Sequence, residues 1–305
     1  MNTIELPLGF KNENDGNEVV GSYIQSKLPF AAGKLGSVET GVLAWYLRYI
    51  KNQPSPRIWN TDDFYSFSDS AGVYPQDPNY YCEVCEIILS ALDDIDIIGL
   101  WNWGQGEELI IPNFCRSSEY VHPRTFEPFW FKENSWTNFL KNKTILVISS
   151  FAESIAIQSN NLNLIWPNGL FPDVNIKTYR VPFNTTMSGT VPKETWSEKL
   201  EQMKFEISQI EFDIGFVGAG AWSLPIVSHI KNQGKSGIHM GGGLQILFGI
   251  IGKRWAERED FQVMFNEHWI TPLDKDIPPL VKAYRSGTWF PNRADPNNVD
   301  IDAYW

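Results

Sequence analysis

A run of three glycines between two apolar segments constrains the fold of this chain more than any other feature. Gly241, Gly242 and Gly243 follow an apolar segment that ends at Met240, and they precede a helix-like segment that begins at Leu244. Backbone that lacks side chains at such a turn lets a ligand approach closely. The pattern is typical of a strand, a tight turn and a helix in an α/β fold.

A second turn of small residues lies earlier in the chain. Gly218 to Ala221 end the apolar segment 212–217, and Ser149 and Ser150 form the polar end of another buried run. Ligands of open α/β sheets bind outside the carboxyl ends of neighbouring strands. We therefore expect these strand ends to contribute to one site.

Apolar runs and helical patterns alternate after residue 140, which favours a mainly parallel sheet. Strands are expected at 28–35, 95–101, 143–151, 175–181, 212–217 and 236–240. Helices are expected at 37–50, 80–94, 126–140, 152–160, 192–209 and 222–233. With 305 residues, of which 43% are apolar, the chain can bury a full core. The predicted fold class is α/β and Rossmann-like, with a mainly parallel sheet, helices on both faces and an irregular C-terminal tail.

Composition divides the chain into three parts. Residues 1–20 are polar and rich in asparagine, which predicts a flexible N-terminal segment. Residues 21–255 carry the alternating pattern and predict the Rossmann-like domain. Residues 256–305 contain many prolines, aromatic residues and asparagines, and predict a tail that packs on the domain.

The net charge, the hydropathy and the cysteine spacing argue against several kinds of partner and site. The net charge of −11 argues against a nucleic acid held through its phosphates. No apolar segment approaches the length of a membrane span and no secretory signal is recognisable, so a cytoplasmic protein without a membrane span is expected. Cys82, Cys85 and Cys115 include only one closely spaced pair, which predicts buried structural thiols rather than a zinc site.

The turn at Gly218 matches part of the dinucleotide-binding fingerprint. Its third glycine position holds Ser223, and the end of the next strand offers His239 instead of an acidic residue for the ribose, so NAD is not expected. The amides of Gly220 to Trp222 either hold a diphosphate at a helix N-terminus or form a tight turn without a ligand.

The segment from Gly33 to Glu39 places charged groups at the start of a predicted helix. Lys34 can neutralise phosphate charge, and Glu39 can bind a hard metal ion or accept a proton. Glu39 is equally well placed to complement the helix dipole. The spacing alone leaves these alternatives open.

This segment resembles the Arg-Phe-Gly-Asp-Gly-Glu type of motif that opens the GT-D type of glycosyltransferase fold. The turn Gly218–Gly220 and the run His239–Gly249, followed by Gly252–Trp255, resemble the later strand-turn-helix units of that group. The same run resembles uncharacterised relatives from polysaccharide loci. The similarity spans most of residues 28–255.

The resemblance implies transfer of a sugar from a nucleoside-diphosphate sugar to a saccharide acceptor, in the assembly of surface polysaccharide or another glycan. The family's Asp-x-Glu pair helps to place a divalent metal ion, Mn or Mg, on the diphosphate. Here the pair reads Ser37-Val38-Glu39, which leaves Glu39 as the candidate metal ligand and Lys34 as an alternative source of positive charge. His239 stands where other members tend to carry an acidic residue. Its imidazole can orient an acceptor hydroxyl, act as a base, bind metal, or simply hydrogen-bond to a neighbouring loop.

Glu39 and His239 are the predicted catalytic residues. The residues predicted to bind the nucleotide sugar are Lys34, Gly36, Ser37, Gly218, Gly220, Trp222, Ser223, Gly241, Gly242 and Gln245. Two other function classes stay open. One is a non-catalytic nucleotide- or carbohydrate-binding module derived from such a transferase, which the loss of an acid at Ser37 favours. The other is a different Rossmann enzyme, such as a dehydrogenase or methyltransferase.

Overall fold

The computed structural model describes residues 5–131, 133–183, 188–190, 192–288 and 302–305. The strands within these ranges are β1 Ala31–Lys34, β2 Ile97–Gly99, β3 Glu119–Val121, β4 Thr144–Ser149, β5 Asn175–Arg180, β6 Ile214–Gly218 and β7 Ser236–His239. In the described part of the chain these seven strands form one sheet in the order β3-β2-β1-β7-β6-β4-β5, and every pairing is parallel.

The helices of the described ranges are α1 Glu13–Ser26, α2 Ser37–Tyr49, α3 Thr61–Asp69, α4 Pro78–Leu92, α5 Glu107–Phe114, α6 Ala152–Gln158, α7 Leu162–Ile165, α8 Trp196–Ser208, α9 Ser223–Asn232, α10 Gly243–Leu247, α11 Lys253–Ala256, α12 Glu259–Gln262 and α13 Pro279–Arg285. Short 3-10 turns lie at Pro123–Phe126, Pro128–Trp130, Trp136–Leu140, Ser159–Asn161, Gly220–Trp222 and Asp274–Asp276. No helix in the described ranges is both long and apolar enough to cross a membrane.

Alternate residues of the central strands enter two separate cores. In β4, Leu146 and Ile148 pack into a cluster with α2, α4, α8 and α9, whereas Ile145 and Val147 pack into a cluster with α1, α6, α7 and α10. A strand that is buried on both faces reads as a continuous apolar run, which explains why β4 was readily found in the sequence. The Rossmann-like α/β fold with helices on both faces is confirmed.

The helices that follow β1 and β7 diverge at the carboxyl edge of the sheet. These two strands pair directly, with Ala32 opposite Ile238. The chain leaves β1 into α2 on one face and leaves β7 into α10 on the other. Connections that part to opposite faces open a crevice between the strand ends, and ligands of doubly wound sheets bind in such a crevice.

The N-terminal segment is more ordered than its composition suggested. Residues 1–20 were expected to be flexible, but α1 begins at Glu13 and buries Val20 and Ile24. The Asn12 side chain caps this helix by accepting hydrogen bonds from the amides of Asn14 and Asp15. The expectation missed the helix because one cap and two widely spaced apolar residues are a weak signal in a polar stretch.

Other expectations about secondary structure also differ from the structure. The helix expected at 126–140 is replaced by 3-10 turns, because Pro128 interrupts regular helical hydrogen bonding. The structure also contains helix α3 and strand β3, in segments where no helix or strand was expected. The helix that follows the glycine run ends at Leu247, because Gly249 adopts a φ of +63°.

The described part of the C-terminal tail contains the short helices α12 and α13. Residues 289–301 of the expected tail, like residues 1–4 of the expected N-terminal segment, lie outside the described residues. The last four residues are described and contact the domain. In particular, the Trp305 indole Nε1 donates to the backbone oxygen of Asp276 at 2.7 Å.

Candidate functional site at the carboxyl edge of the sheet

Strands β1 and β7 bring Lys34 and His239 to neighbouring positions at the carboxyl edge. Gly33 makes this approach possible, because a Cβ added there would lie 2.8 Å from the Cβ of His239 and 3.1 Å from Cδ2 of Leu224. Neither atom can swing aside, as the end of a flexible side chain at the surface could. Any larger residue at position 33 would therefore push His239 away from β1.

The His239 imidazole is buried and held through one ring nitrogen. Its Nδ1 lies 3.2 Å from the Val217 carbonyl oxygen and 3.3 Å from the Gly241 amide nitrogen. When Nδ1 carries the proton it donates to the Val217 carbonyl oxygen, and in the other tautomer it accepts from the Gly241 amide. Burial lowers the pKa of His239 to about 4, and the charge of Lys34 acts in the same direction. The imidazole is therefore neutral at pH 7, and no described residue hydrogen-bonds to Nε2.

Lys34 lies in a cluster of aromatic and acidic side chains. Its Nζ is 3.4 Å from Oε1 of Glu127 and 5.4 Å from the centroid of the Trp101 ring. The other Glu127 oxygen accepts a hydrogen bond from Nε1 of Trp130 at 2.9 Å. Both charged side chains are largely buried, so water screens their attraction only in part.

Glu39 lies in the first turn of α2, directly after β1. The N-cap residue Gly36 provides no side-chain hydrogen bond, and the Glu39 carboxyl group folds back over it. Burial raises the pKa of Glu39, while a hydrogen bond from its own backbone amide acts in the opposite direction. The residue still keeps part of its surface exposed.

Ser37 is exposed at the start of α2, and its hydroxyl is already engaged. Its Oγ donates to Oδ1 of Asn102 at 3.4 Å, and Nδ2 of Asn102 donates to Oγ1 of Thr40 at 3.3 Å. The backbone amide of Asn102 donates to the buried carboxylate of Glu107 at 2.9 Å. This chain of contacts ties the start of α2 to the loop that follows β2.

The predicted nucleotide-binding turn at Gly218 is closed by the protein itself. Gly220 has a φ of +56°, and a Cβ added there would lie 2.9 Å from the Ala71 carbonyl oxygen. That oxygen accepts a hydrogen bond from the amide of Ala221 at 3.1 Å. The buried Ser223 hydroxyl accepts from the amide of Ala219 at 2.9 Å. These amides and this hydroxyl are occupied, which favours the tight turn over the diphosphate cradle.

Trp222 belongs to the core. Its ring stacks on Trp196 at a centroid distance of 5.9 Å, and its Nε1 donates to the Trp196 carbonyl oxygen at 3.1 Å. A ring held in this way offers no open face to a nucleobase. The geometry therefore does not support the predicted contact of Trp222 with the donor.

The glycine run serves close packing as well as the site. A Cβ on Gly242 would lie 2.9 Å from the Trp255 ring, and one on Gly243 would lie 3.0 Å from Cγ of Glu127. Gly241 has a φ of +59° and more space. A Cβ there would lie 3.8 Å from both the His239 ring and Cε of Lys34. Of the three glycines, Gly241 faces the cluster of polar side chains most directly.

Gln245 holds the last residues of the chain instead of facing the crevice. Its Nε2 donates to the Tyr304 carbonyl oxygen at 2.7 Å, and its Oε1 accepts from Nε1 of Trp255 at 3.0 Å. The side chain is buried and both of its polar atoms have partners. A structural role accounts for it fully.

The carboxyl end of β4 is also filled by the protein. The buried carboxylate of Asp276 accepts from the amide of Ser154 at 2.6 Å, at the start of α6, and it pairs with Arg180. Ser149 uses its hydroxyl to accept from the amide of Phe151 at 3.2 Å. Ser149 and Ser150 were predicted to contribute to a shared site. At this strand end, however, the carboxylate of Asp276 already occupies the position where an anion would bind.

The fold is similar to that of solved glycosyltransferase structures. One is described as a new glycosyltransferase (DUF1792) from Streptococcus sanguinis; it is 11% identical, the match covers 88% of this chain and 96% of that chain, and the TM-score is 0.50. The chain shares the fold of that protein. A second structure, described as a highly conserved domain of unknown function 1792 with a distinct glycosyltransferase fold, matches at 11% identity over 88% of this chain and 92% of that chain, with a TM-score of 0.48. No protein-family model and no curated protein matches the sequence.

The similarity to the DUF1792 structure confirms the predicted GT-D resemblance as a resemblance of fold. The metal ion implied by that resemblance does not fit the residues of this chain. Glu39 is a single carboxyl group whose pKa is raised by burial, and the Ser37 hydroxyl is bonded to Asn102. Within the described ranges, no group of three His, Cys, Asp or Glu side chains is arranged to hold a metal ion.

Sequence analysis missed two side chains of this site, Glu127 and Trp101. Glu127 follows β3 after one short 3-10 turn, and Trp101 follows β2 by two residues. Neither lies in a recognisable motif, and their approach to Lys34 depends on how two loops pack over β1. The position of Trp101 at the end of the strand expected at 95–101 was the one available signal for it.

Proposed function

We propose that this chain is a glycosyltransferase that moves a sugar from a nucleoside-diphosphate sugar to a saccharide acceptor, in the assembly of surface polysaccharide or another glycan. One observation carries the proposal: Lys34, Glu39 and His239 lie at or directly after the adjoining ends of β1 and β7, in a fold shared with a glycosyltransferase. The composition and charge favour a cytoplasmic protein without a nucleic-acid partner.

The leaving diphosphate would bind at the start of α2. The first amides of this 13-residue helix point towards the carboxyl edge, and Gly36 supplies no side-chain cap for them. The amide of Glu39 already bonds to its own carboxyl group, so the amides of Ser37 and Val38 are the donors that we assign to the diphosphate. Orphan amides and the helix dipole favour an anion at such a position. Lys34 adds a formal positive charge close by. Its ammonium carries three donors, so it can contact a phosphate oxygen while keeping Glu127.

The two predicted catalytic residues are suited to different roles. A general base works best when its pKa lies near the working pH. Burial moves the pKa of Glu39 upwards, towards neutrality, and moves the pKa of His239 down to about 4. We therefore assign proton abstraction from the acceptor hydroxyl to Glu39. We assign to the neutral imidazole of His239 the orientation of that hydroxyl through Nε2.

Charge neutralisation by Lys34 and backbone amides takes the place of a resident metal ion in this proposal. The proposed steps rely on the protein's own groups and do not depend on such an ion.

The test is release of nucleoside diphosphate from a panel of UDP-, GDP- and CDP-linked sugars, measured with and without saccharide acceptors. Glu39→Gln should abolish release while the donor still binds. Asp62→Asn is the matched control, because Asp62 is an exposed carboxylate in the first turn of α3. Full activity of the Glu39→Gln variant would contradict the proposal.

A non-catalytic binding module is the second candidate. The observation that favours it is the engagement of Ser37 with Asn102, at the position where the family motif carries an acid. Tight nucleotide binding without turnover of any donor and acceptor pair would support this alternative.

A further inference from the structure

Trp101 presents an ordered aromatic surface at the mouth of the candidate site. The residue is 47% exposed, although its neighbours Leu100 and Asn102 are buried. Its indole Nε1 donates to the Leu35 carbonyl oxygen at 2.8 Å. This bond joins the loop after β2 to the end of β1 and fixes the orientation of the ring. An exposed tryptophan that is already held in place loses little conformational entropy when a ligand stacks on it.

The ring lies beside the positive charge of the site. Nζ of Lys34 is 5.4 Å from the centroid of the Trp101 ring, within the range of a cation–π contact. A ligand that has both an aromatic group and a nearby anion can use both features at once. A nucleoside diphosphate is such a ligand, since a ribose separates its base from its phosphates.

The position of Trp101 in the sheet agrees with this ligand. Strands β1 and β2 pair with Lys34 opposite Gly99, and Trp101 comes two residues after Gly99. In doubly wound sheets that bind nucleotides, the phosphates lie at the helix after the first strand and the ribose extends towards the end of the neighbouring strand. A diphosphate at the start of α2 would therefore direct its nucleoside towards Trp101.

We propose that Trp101 is the platform on which the nucleobase of the donor stacks. The inference rests on the proposed function and adds the site of the base to it. Because the indole N–H is committed to Leu35, the ring offers stacking without a hydrogen bond to the base edge. Stacking on an aromatic ring tolerates different bases. Trp101 thus supplies affinity for purine and pyrimidine nucleotides alike, and any choice between them comes from other groups.

A neutral saccharide acceptor is the competing occupant of this ring. Sugar rings also pack on indole faces, but a neutral sugar has no negative charge to form an ion pair with the ammonium of Lys34. The juxtaposition of ring and charge therefore favours the nucleotide.

The experiment is a calorimetric titration of the full chain with UDP, GDP and inorganic pyrophosphate. Trp101→Ala should weaken UDP and GDP about tenfold or more, the effect of losing one stacked base. Its affinity for pyrophosphate, which has no base, should stay unchanged. Trp101→Phe keeps an aromatic face and should retain most of the affinity. Trp103→Ala is the matched control, because Trp103 lies in the same loop and its Nε1 donates to the backbone carbonyl oxygen of Glu5 at 2.9 Å.

Equal UDP and GDP affinities of the wild type and Trp101→Ala would overturn the inference and leave the proposed function intact. A higher KM for the saccharide acceptor in Trp101→Ala, with nucleotide affinity unchanged, would overturn it in favour of the acceptor. A parallel loss of pyrophosphate affinity would also overturn it, since the ring would then act through Lys34 or the fold. A wild-type chain that binds neither nucleotide would end the proposed function and this inference together.

Discussion

The carboxyl group of Glu39 lies so close over Gly36 that a Cβ added at Gly36 would be 2.1 Å from Oε2. The absence of a side chain at position 36 therefore sets where the carboxyl group of Glu39 points. Gly36 has a φ of −71°, which an alanine adopts without strain.

Gly36→Ala should displace the Glu39 carboxyl group and leave the fold intact. Because Oε2 is the free end of a flexible side chain, it can move, and we expect the free energy of unfolding to change by no more than about 1 kcal/mol. Transfer activity should fall towards that of Glu39→Gln. Steady-state kinetics and urea unfolding of the same preparation check both parts. An active Gly36→Ala enzyme would show that the observed orientation of Glu39 is not needed.

Stability should depend on pH through His239. The imidazole has a pKa of about 4 in the folded protein and 6.5 as its ordinary value, so between these values the unfolded state binds the extra proton. Stability is lost as the pH falls through this window, and the contribution of His239 between pH 7 and pH 5 is about 2 kcal/mol.

Urea unfolding of the wild type and of His239→Gln at pH 7 and pH 5 measures this difference. The wild type should lose about 2 kcal/mol more than the variant, because the carboxylates that also titrate are common to both. The same pH dependence in both proteins would mean that His239 is not buried as a neutral group.

Lys34 and Glu127 should act on diphosphate binding in opposite directions. Lys34→Gln removes a charged hydrogen bond worth about 1.5–3 kcal/mol, so affinity for UDP or GDP should fall at least about tenfold. Glu127→Gln frees the ammonium from its partner at 3.4 Å and should raise that affinity. Calorimetry of both variants provides the measurement. Weaker binding by Glu127→Gln would show that the carboxylate itself contacts the ligand.

Removal of divalent ions should leave nucleotide binding largely unchanged. The start of α2 holds one carboxyl group, that of Glu39, whose pKa is raised by burial, and Ser37 stands where the Asp-x-Glu pair of the GT-D motif has its first acid. Titration with UDP in EDTA, and again with added Mn, should give similar affinities. Loss of binding in EDTA that Mn restores would instead identify Glu39 as part of a metal site.

The sequence predicted strands and helices well where an apolar pattern of buried residues ended at a clear boundary residue. The strand expected at 236–240 is Ser236–His239, and the helix expected at 222–233 is Ser223–Asn232. In both cases a strong apolar pattern stops at a glycine or a polar residue. Helix α1 was missed because its stability comes from packing Val20 and Ile24 against distant segments, which a local pattern does not show.

The candidate site was only partly predictable. Parallel strands end at the same edge, so the sequence predicted that Lys34 and His239 lie at one edge of the sheet. Their direct proximity comes from the pairing of β1 with β7, which the pattern of the sequence did not predict. Trp222 and Gln245 looked like ligand-binding groups, but their polar atoms are used by Trp196, Trp255 and Tyr304. Which partner occupies a polar atom depends on contacts between distant parts of the chain, and sequence spacing does not reveal them.

The central claim is that the carboxyl edge of β1 and β7 binds a nucleoside diphosphate as part of sugar transfer. Calorimetric titration of the purified chain with UDP, GDP and CMP tests it most directly. The account predicts saturable binding of at least one diphosphate, weaker binding of CMP, and a marked loss of diphosphate affinity in Lys34→Gln. Absence of binding by all three nucleotides, or diphosphate binding that Lys34→Gln leaves unchanged, would contradict it.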